Sequence, residues 1–432
     1  MFKFIKTLFL LCLCLQFSFH TQAQNRWREL SRPTDKLLWK LSFLDSLRGW
    51  VVGHRGAILK TTNGGAAWQT QTSGVTTDIQ DVFMLNNRYG WAVTFDDFVD
   101  TLTWFGTRVL TTTNGGTSWT NRQYPVSGEF FNSIVFLDSL RGWMGGEFGH
   151  LVRTTNGGST WVPVQVDSSI YARWKIINLK FFTPQYGYAM GGRIDIIGVV
   201  WRTTNGGVRW TADAVSPEPV HDMHMIDSLS LIGIVGDVDY GASMVKTKNG
   251  GERWDYTYLN IFGEPRALSF RTDAEAWSPL GFAGLLMYTR DTANTWTTLE
   301  TPYRRPIYDL VFTDSSTGYA IGDSGMILKY STSTVNVEEN LLAAPISFAL
   351  HQNYPNPFNP STTISYDLPR ESVVTLKVFN LLGEEVRTLV NQRKEAGRHL
   401  VNFDAEGLPS GVYLYRLQTE TSTLSRKMLL LR

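Results

Sequence analysis

His221-x-x-His224, Asp96-Asp97, Asp195 and Asp237-x-Asp239 are the points in this chain where residue type and spacing could support chemistry. Two imidazoles three positions apart invite a metal. Grouped carboxylates could hold a calcium ion through oxygen, or act as the acid pair of a glycoside hydrolase. On a strand, however, positions i and i+3 point to opposite faces, so the two histidines cannot chelate together without a bend. Neither acidic run has the spaced acid-glycine-acid loop of a dedicated calcium site, so these carboxylates read as solvated loop groups. No metal ligand and no cofactor is assigned. Arg173, Arg266 and Arg304, with Trp104 and Trp174, add cationic and aromatic surface suited to a polar ligand or a partner protein. No Ser-His-Asp spacing, nucleophile elbow or phosphate loop stands out, so no catalytic residue is assigned.

A repeat is what would bring these scattered positions together. A Thr, an Asn-Gly-Gly turn and a Trp five residues after the Asn recur along the chain. The pairs are Asn63 and Trp68, Asn114 and Trp119, Asn156 and Trp161, Asn205 and Trp210, and Asn249 and Trp254. A worn copy at Asp291 and Trp296 makes the sixth. Spacing in the forties to low fifties, with strand-like content between copies, is the mark of a propeller with one blade per repeat. Asn-Gly between β-like runs predicts a hairpin whose positive φ Asn tolerates and Gly adopts freely. Each Trp is expected to wedge between neighbouring blades. Upstream stands a second element of the form Phe-x-Asp-x-x-x-Gly-Trp/Tyr, as from Phe43 to Trp50, Phe136 to Trp143 and Phe312 to Tyr319. Each repeat then supplies four strands, at 78–85, 90–94, 108–112 and 118–122 in the second. The last repeat lacks its Trp, and 25–30, with Trp27 in that role, is expected to complete it as the seventh blade and leave no free edge.

Thr-x-Asn-Gly-Gly-x-x-Trp resembles the Asp-box, or bacterial neuraminidase repeat. The fuller pattern, Gly-Trp-x-Val-Gly through Lys-Thr-Thr-Asn-Gly-Gly-x-x-Trp, is similar to the photosystem II stability and assembly factor-like propellers, over roughly 27–331. The resemblance implies that the box is a structural hairpin between the third and fourth strands, remote from any active site. The Phe/Tyr-Arg-Ile-Pro block of a sialidase is absent, and Asp-box xyloglucanases set two propellers around a cleft where this chain has one. With the boxes on one face, the opposite face is built from loops joining strand two to three and blade to blade. The candidate ligand face is therefore Asp96, Asp97, Trp104, Arg173, Trp174, Asp195, His221, Asp237, Asp239, Arg266 and Arg304.

Of 432 residues, 40 are basic and 39 acidic, a balance that gives no reason to expect a nucleic-acid or anionic-membrane partner. Residues 1–23 read as a secretory signal peptide, with Lys3 and Lys6 before an apolar stretch and Thr21-Gln22-Ala23 at the cleavage site. Both cysteines, Cys12 and Cys14, lie within it, so the mature chain would form no disulfide. No other run is apolar and long enough to span a bilayer. The propeller is assigned to 24–333, a polar linker to 334–347, and a second domain to 348–432.

That second domain opens on Asn353-Tyr354-Pro355-Asn356-Pro357-Phe358-Asn359-Pro360, an extended entry that forbids a helix. Strands at 363–368, 373–379, 399–403, 411–418 and 427–431 suggest an immunoglobulin-like β-sandwich. The segment resembles the type A C-terminal sorting domain of the type IX secretion system in the Bacteroidota and relatives. The residues that carry the likeness are Asn353, Pro355, Pro357, Phe358, Pro360, Gly383, Gly411, Tyr413 and Lys427. It implies a periplasmic passage, outer-membrane secretion machinery as partner, and a destination at the cell surface or outside the cell. The whole reads as an all-β, non-catalytic propeller that binds a protein or glycan through its loop face. The alternative is an extracellular glycoside hydrolase acting through Asp96, Asp195, Asp237 or Asp239.

Overall fold

A computed structural model describes residues 26–95, 106–167, 170–301, 304–332, 348–353, 356 and 358–431. The signal-peptide and linker assignments, and Asp96, Asp97, Trp104, Pro355 and Pro357, lie outside them. The chain divides into two compact units, 1–333 and 334–432.

Among the described residues the first unit contains seven sheets, arranged as in a propeller. The first runs through Leu38–Phe43, Gly49–Gly53, Ile58–Thr61 and Gln69–Gln71; the second through Ile79–Met84, Gly90–Phe95, Thr107–Thr112 and Thr120–Gln123. The third to sixth begin at Phe131–Phe136, Lys175–Phe181, Val220–Met225 and Ser269–Phe270. The seventh joins Ile307–Phe312, Thr317–Gly322 and Ile327–Ser331 to Trp27–Glu29 from the other end of the unit. One addition was not foreseen: Gln165–Val166 pairs in parallel with the last strand of the fourth sheet, Arg209–Ser216.

The repeated turn owes its shape to its threonine as much as to its glycines. In the first copy the Thr61 hydroxyl donates to Asn63 Oδ1 at 3.0 Å and accepts the Gly65 N–H at 2.9 Å, while Asn63 Oδ1 also accepts the Ala67 N–H at 2.8 Å. The same set recurs through the worn copy, where Thr289, Asp291, Ala293 and Thr295 make it. Asn does not take the positive φ expected of it. Both glycines do, at 68° and 81° in the first copy, and the Asn side chain instead caps the turn.

The wedge between sheets belongs chiefly to a different aromatic from the one expected. Trp210 is fully buried and Trp119 nearly so, but Trp68, Trp161, Trp254 and Trp296 are half-buried, because they open the outermost strand, where one side faces solvent. The Trp or Tyr of the second strand is the buried ring, and it reaches across to the next sheet's turn. Trp50 Nε1 donates to Gly115 O at 3.2 Å, Trp91 to Gly157 O at 3.0 Å, Trp143 to Gly207 O at 3.1 Å, and the Tyr188 hydroxyl to Gly250 O at 3.1 Å. Lys60, Arg202 and Lys329 reach the same kind of acceptor, on Gly115, Gly250 and Gly64, at 2.8 Å each. The glycine before each of these rings is required by the side chain opposite, a Phe in three sheets and Met84 in the second: a Cβ at Gly49 would lie 2.4 Å from the Phe43 ring, one at Gly142 2.6 Å from Phe136, and one at Gly90 2.1 Å from Met84. Phe136 in turn stacks on Trp91 of the preceding sheet at 3.6 Å.

A second set of ties lines the inside. First strands carry a bulge just before Lys40, Asp81, Ser133, Asn178, Asp222 and Asp309. The carboxylates there accept an N–H of the following sheet: Asp81 from Ile134 at 2.9 Å, Asp222 from Leu268 at 2.8 Å, and Asp309 from Leu41 at 3.0 Å. The last of these joins the seventh sheet to the first. Burial alone would lower the pKa of Lys40, but Asp309, Asp81 and Asp222 together raise it, and burial raises Asp81 and Asp309 against the pull of Lys40.

The N-terminal strand behaves as anticipated. Trp27 pairs with Tyr330 and Glu29 with Leu328, and Leu30 N–H reaches Ile327 O at 2.9 Å. Trp27 is 3% exposed, its ring 5.3 Å from Tyr330, 5.8 Å from Phe312 and 5.9 Å from Trp277.

The second unit has two antiparallel sheets around one core. Ala349–Leu350, Ser361–Leu368 and Gly397–Asp404 form one; Glu385–Lys394, Ser372–Phe379, Gly411–Gln418 and Thr423–Leu430 form the other. Glu385–Lys394 has no counterpart among the expected strands. It is a polar edge whose pairing with Ser372–Phe379 shifts register twice, so the period-two alternation is lost. The motif residues brace this core. Asn353 is buried, its N–H on the Tyr415 hydroxyl at 2.8 Å, and Phe358 exchanges backbone bonds with Leu429 and Leu431 at 3.0 Å. The Tyr413 hydroxyl donates to Pro409 O at 2.8 Å, Asn359-Pro360 is cis, Gly383 and Gly411 have positive φ, and Lys427 O accepts from Gln352 at 2.7 Å.

Candidate functional site

Because strand three runs between them, the turn joining strands two and three lies at the opposite end of each sheet from the Asn-Gly-Gly turn. At that end a cleft of about 850 Å³ opens over the third to sixth sheets. Two kinds of loop build it. Turns between strands two and three bring Glu147, Phe148, Arg193, Ile194 and Asp195; connections between sheets bring Arg173, Trp174, Lys175, Pro219, Glu264 and Arg266. Phe148 sits in Gly146-Glu147-Phe148-Gly149 at φ 56° and is 70% exposed, a bulky residue in a conformation that costs of order 1–3 kcal/mol and points the ring at solvent. Ile194, exposed on the neighbouring turn, and half-buried Trp174 extend the apolar rim.

Two acids in the cleft are neutralised by bases. Lys175 Nζ lies 2.7 Å from Glu147, and Arg266 lies 2.6 Å from buried Glu264. Arg266 also lies over the Tyr308 ring at 5.8 Å. His221, at the bulge, is buried with Nε2 2.8 Å from Gly236 O and 3.7 Å from Glu264; burial pushes its pKa below the ordinary value, which keeps the imidazole neutral near pH 7. His224 is engaged elsewhere, stacked on Phe270 at 4.2 Å. Burial, opposed by Asp222 and assisted by Lys180, takes it down to about 4.

Five of the expected residues thus meet in one cleft: Arg173, Trp174, Asp195, His221 and Arg266. Others do not. Asp237 is fully buried behind the surface, so it offers no direct contact to a large ligand, and Asp239 sits in the exposed turn beyond it. Arg304 takes φ 45° in an exposed loop and pairs with Glu300, away from the cleft lining. The residue the sequence reading passed over is Glu218. It lies in Ser216-Pro217-Glu218-Pro219, a proline-framed connection that forces an acid inward, and it is 5% exposed. Its Oε2 accepts the Asp195 N–H at 3.1 Å. Burial first, and then Asp237 beside it, push its pKa up to about 7. Asp237 shifts the other way, since the bond from Glu218 and the Tyr240 and Asp239 N–H groups together outweigh its burial.

Comparison with known proteins finds a likeness for both units. The model of the Photosynthesis system II assembly factor YCF48 family matches residues 19–94 and 81–218, and that of the Secretion system C-terminal sorting domain matches 352–431. The Photosystem II assembly lipoprotein Ycf48 of Picosynechococcus sp. is 26% identical over 335 residues, 75% of this chain and 93% of the relative. The solved structure of YCF48 bound to D1 peptide superposes with a TM-score of 0.57 at 23% identity, over 71% of this chain and 97% of that one. An ancestral GH74 enzyme superposes with a TM-score of 0.54 at 13% identity, over 92% of this chain and 60% of that one, a likeness of fold. No described helix is long and apolar enough to cross a membrane. The chain thus joins a repeat propeller similar to the photosystem II assembly factors to a segment that matches the secretion-system C-terminal sorting domain.

Proposed function

We propose that this is a secreted or surface-displayed, non-catalytic seven-bladed Asp-box propeller, closed by its N-terminal strand, that binds a segment of another protein in the cleft around Trp174. The observation that carries the reading is the composition of that cleft. Exposed apolar groups (Phe148, Ile194) alternate with exposed cations (Arg173, Arg193), and the acids Glu147 and Glu264 are already matched to Lys175 and Arg266. Apolar pockets beside donors suit the side chains and carbonyls of an extended peptide. A relative of the same fold has been solved with a peptide, which favours protein over glycan as ligand. The C-terminal unit, read as an immunoglobulin-like type IX sorting domain, would deliver the propeller across the outer membrane.

The test is capture of extracellular proteins by the purified protein, followed by peptide arrays, with a glycan array alongside. Trp174→Ala and Arg173→Ala should each weaken peptide binding about tenfold or more, as for interface anchors, with the fold retained and, for the exposed Arg173, the melting temperature unchanged. Binding to glycans alone, or peptide binding indifferent to both substitutions, would remove this reading. Among the described residues the glycoside hydrolase alternative finds no free carboxylate pair across the cleft, since Glu147 and Glu264 are held by bases and Glu218 and Asp237 beside Asp195 are buried.

A further inference from the structure

We propose that Asp195, Glu218 and Asp237 form a calcium site at the edge of the cleft. It is independent of the peptide reading. One oxygen from each of the three carboxylates lies within 4.8 Å of the other two. They come from separate stretches of chain: the turn 194–196, the proline-framed connection after Arg209–Ser216, and the end of Leu231–Asp237. Grouped acids alone would say little. The second observation is inside the group. Asp237 is 0% exposed, and while its Oδ1 accepts the N–H groups of Asp239 at 2.8 Å and Tyr240 at 2.7 Å, its Oδ2 is buried and, unless Glu218 carries a proton, has no donor among the described residues. A buried, unpaired carboxylate oxygen is costly and calls for a counter-charge. What it faces is Glu218, another buried carboxyl whose Oε2 is already oriented by the Asp195 N–H.

An all-carboxylate oxygen set calls for a hard divalent cation, and the gap is wide enough to admit calcium. Calcium binds oxygen at about 2.3–2.6 Å, so ligands on opposite sides of it stand up to roughly 5 Å apart. Magnesium, at about 2.0–2.1 Å and near-ideal octahedral geometry, demands a tighter set. Asp195 is the exposed member, with φ 61°, and it leaves an open side through which water can complete the six to eight oxygens calcium takes. Three backbone segments would then be pinned at one point beneath the rim that carries Ile194 and Arg193.

Calorimetric titration of calcium chloride into the purified, chelator-treated protein reads the site directly, with thermal melts in parallel. We expect one bound calcium per chain, a melting temperature raised by several degrees, and at least tenfold weaker binding of magnesium. Asp237→Asn keeps the Oδ1 acceptor for Asp239 and Tyr240, and should fold yet lose the calcium heat; Asp195→Asn, at the exposed position, should weaken binding about tenfold or more. Absence of heat together with an unmoved melting temperature at millimolar calcium would show the acids bridged by a proton and overturn the site. So would calcium binding retained at full strength in both variants.

Discussion

Replacing Trp210 by alanine removes an indole that is fully buried and bonded through Nε1 to Gly207 O of its own turn at 3.2 Å. The expected loss is about 3–5 kcal/mol by urea titration. Trp161→Ala takes away only a half-buried ring, 6.0 Å from Phe136, and should cost markedly less. Equal losses at the two positions would mean that burial does not set the role of this residue. Thr203 makes a similar point in polar terms: its hydroxyl donates to Asn205 at 3.0 Å and accepts the buried Gly207 N–H at 3.0 Å, so Thr203→Val should cost about 1–3 kcal/mol through the stranded donor. Recurrence in the sequence marked all these residues as structural. It could not rank them, because exposure depends on whether the neighbouring sheet covers a ring, and that is set by residues far along the chain.

The strand Trp27–Glu29 was legible because one Trp was missing from the last repeat and one stood spare near the start. Its removal, with everything before residue 33, should lower the melting temperature sharply and promote aggregation, since Ile327–Ser331 would become an open edge. Removal of residues 1–24 alone should change nothing in a melt of the folded protein. A truncation through Arg32 that melts like the intact chain would refute the closing role. By contrast Glu385–Lys394 escaped sequence reading altogether. Six of its ten residues are exposed, and its bulged pairing scrambles the alternation on which strand recognition depends.

Across the whole molecule, the position of the cleft followed from loop order alone, whereas its chemistry did not. Asp237 looked like a surface acid in an Asp-x-Asp run and is buried, because the β-strand runs as far as Asp237, which pairs with Gly241 instead of standing in the loop. The interior charges were equally hidden: nothing in the pattern around Lys40 announces that Asp81, Asp222 and Asp309 from three other sheets lie near enough to raise its pKa. Lys40→Met should therefore destabilise the protein near neutral pH, by less than the roughly 3–5 kcal/mol of a broken buried ion pair because Lys40 is only half-buried. The sign of its pH dependence follows from the carboxyls. Asp81 and Asp309 have folded pKa values above their unfolded ones, so their contribution is fully present at low pH and is lost as pH rises. Without the ammonium that loss grows, and the variant should be more destabilised at about pH 8 than at about pH 5. A penalty independent of pH would show that Lys40 acts by packing alone. At the same scale, deletion of 348–432 should leave a folded first unit confined to the periplasm, as read by cell fractionation; undiminished surface or medium signal would sink the export role.

Arg26 and Tyr330, which share a side-chain hydrogen bond of 3.0 Å, are 304 residues apart in sequence. A contact of that span is among the last a chain can make, since the loop it closes contains every other sheet of the unit. The first strand to leave the ribosome must therefore wait, unpaired, until the last three strands of the unit exist. During synthesis the repeats can form local hairpins, yet the circle has no latch. Along the export route proposed above, the time at which the molecule commits to its final shape is set by the arrival of residues 327–331, and a chain interrupted before them is left with two unsatisfied ends and nothing to hold them together.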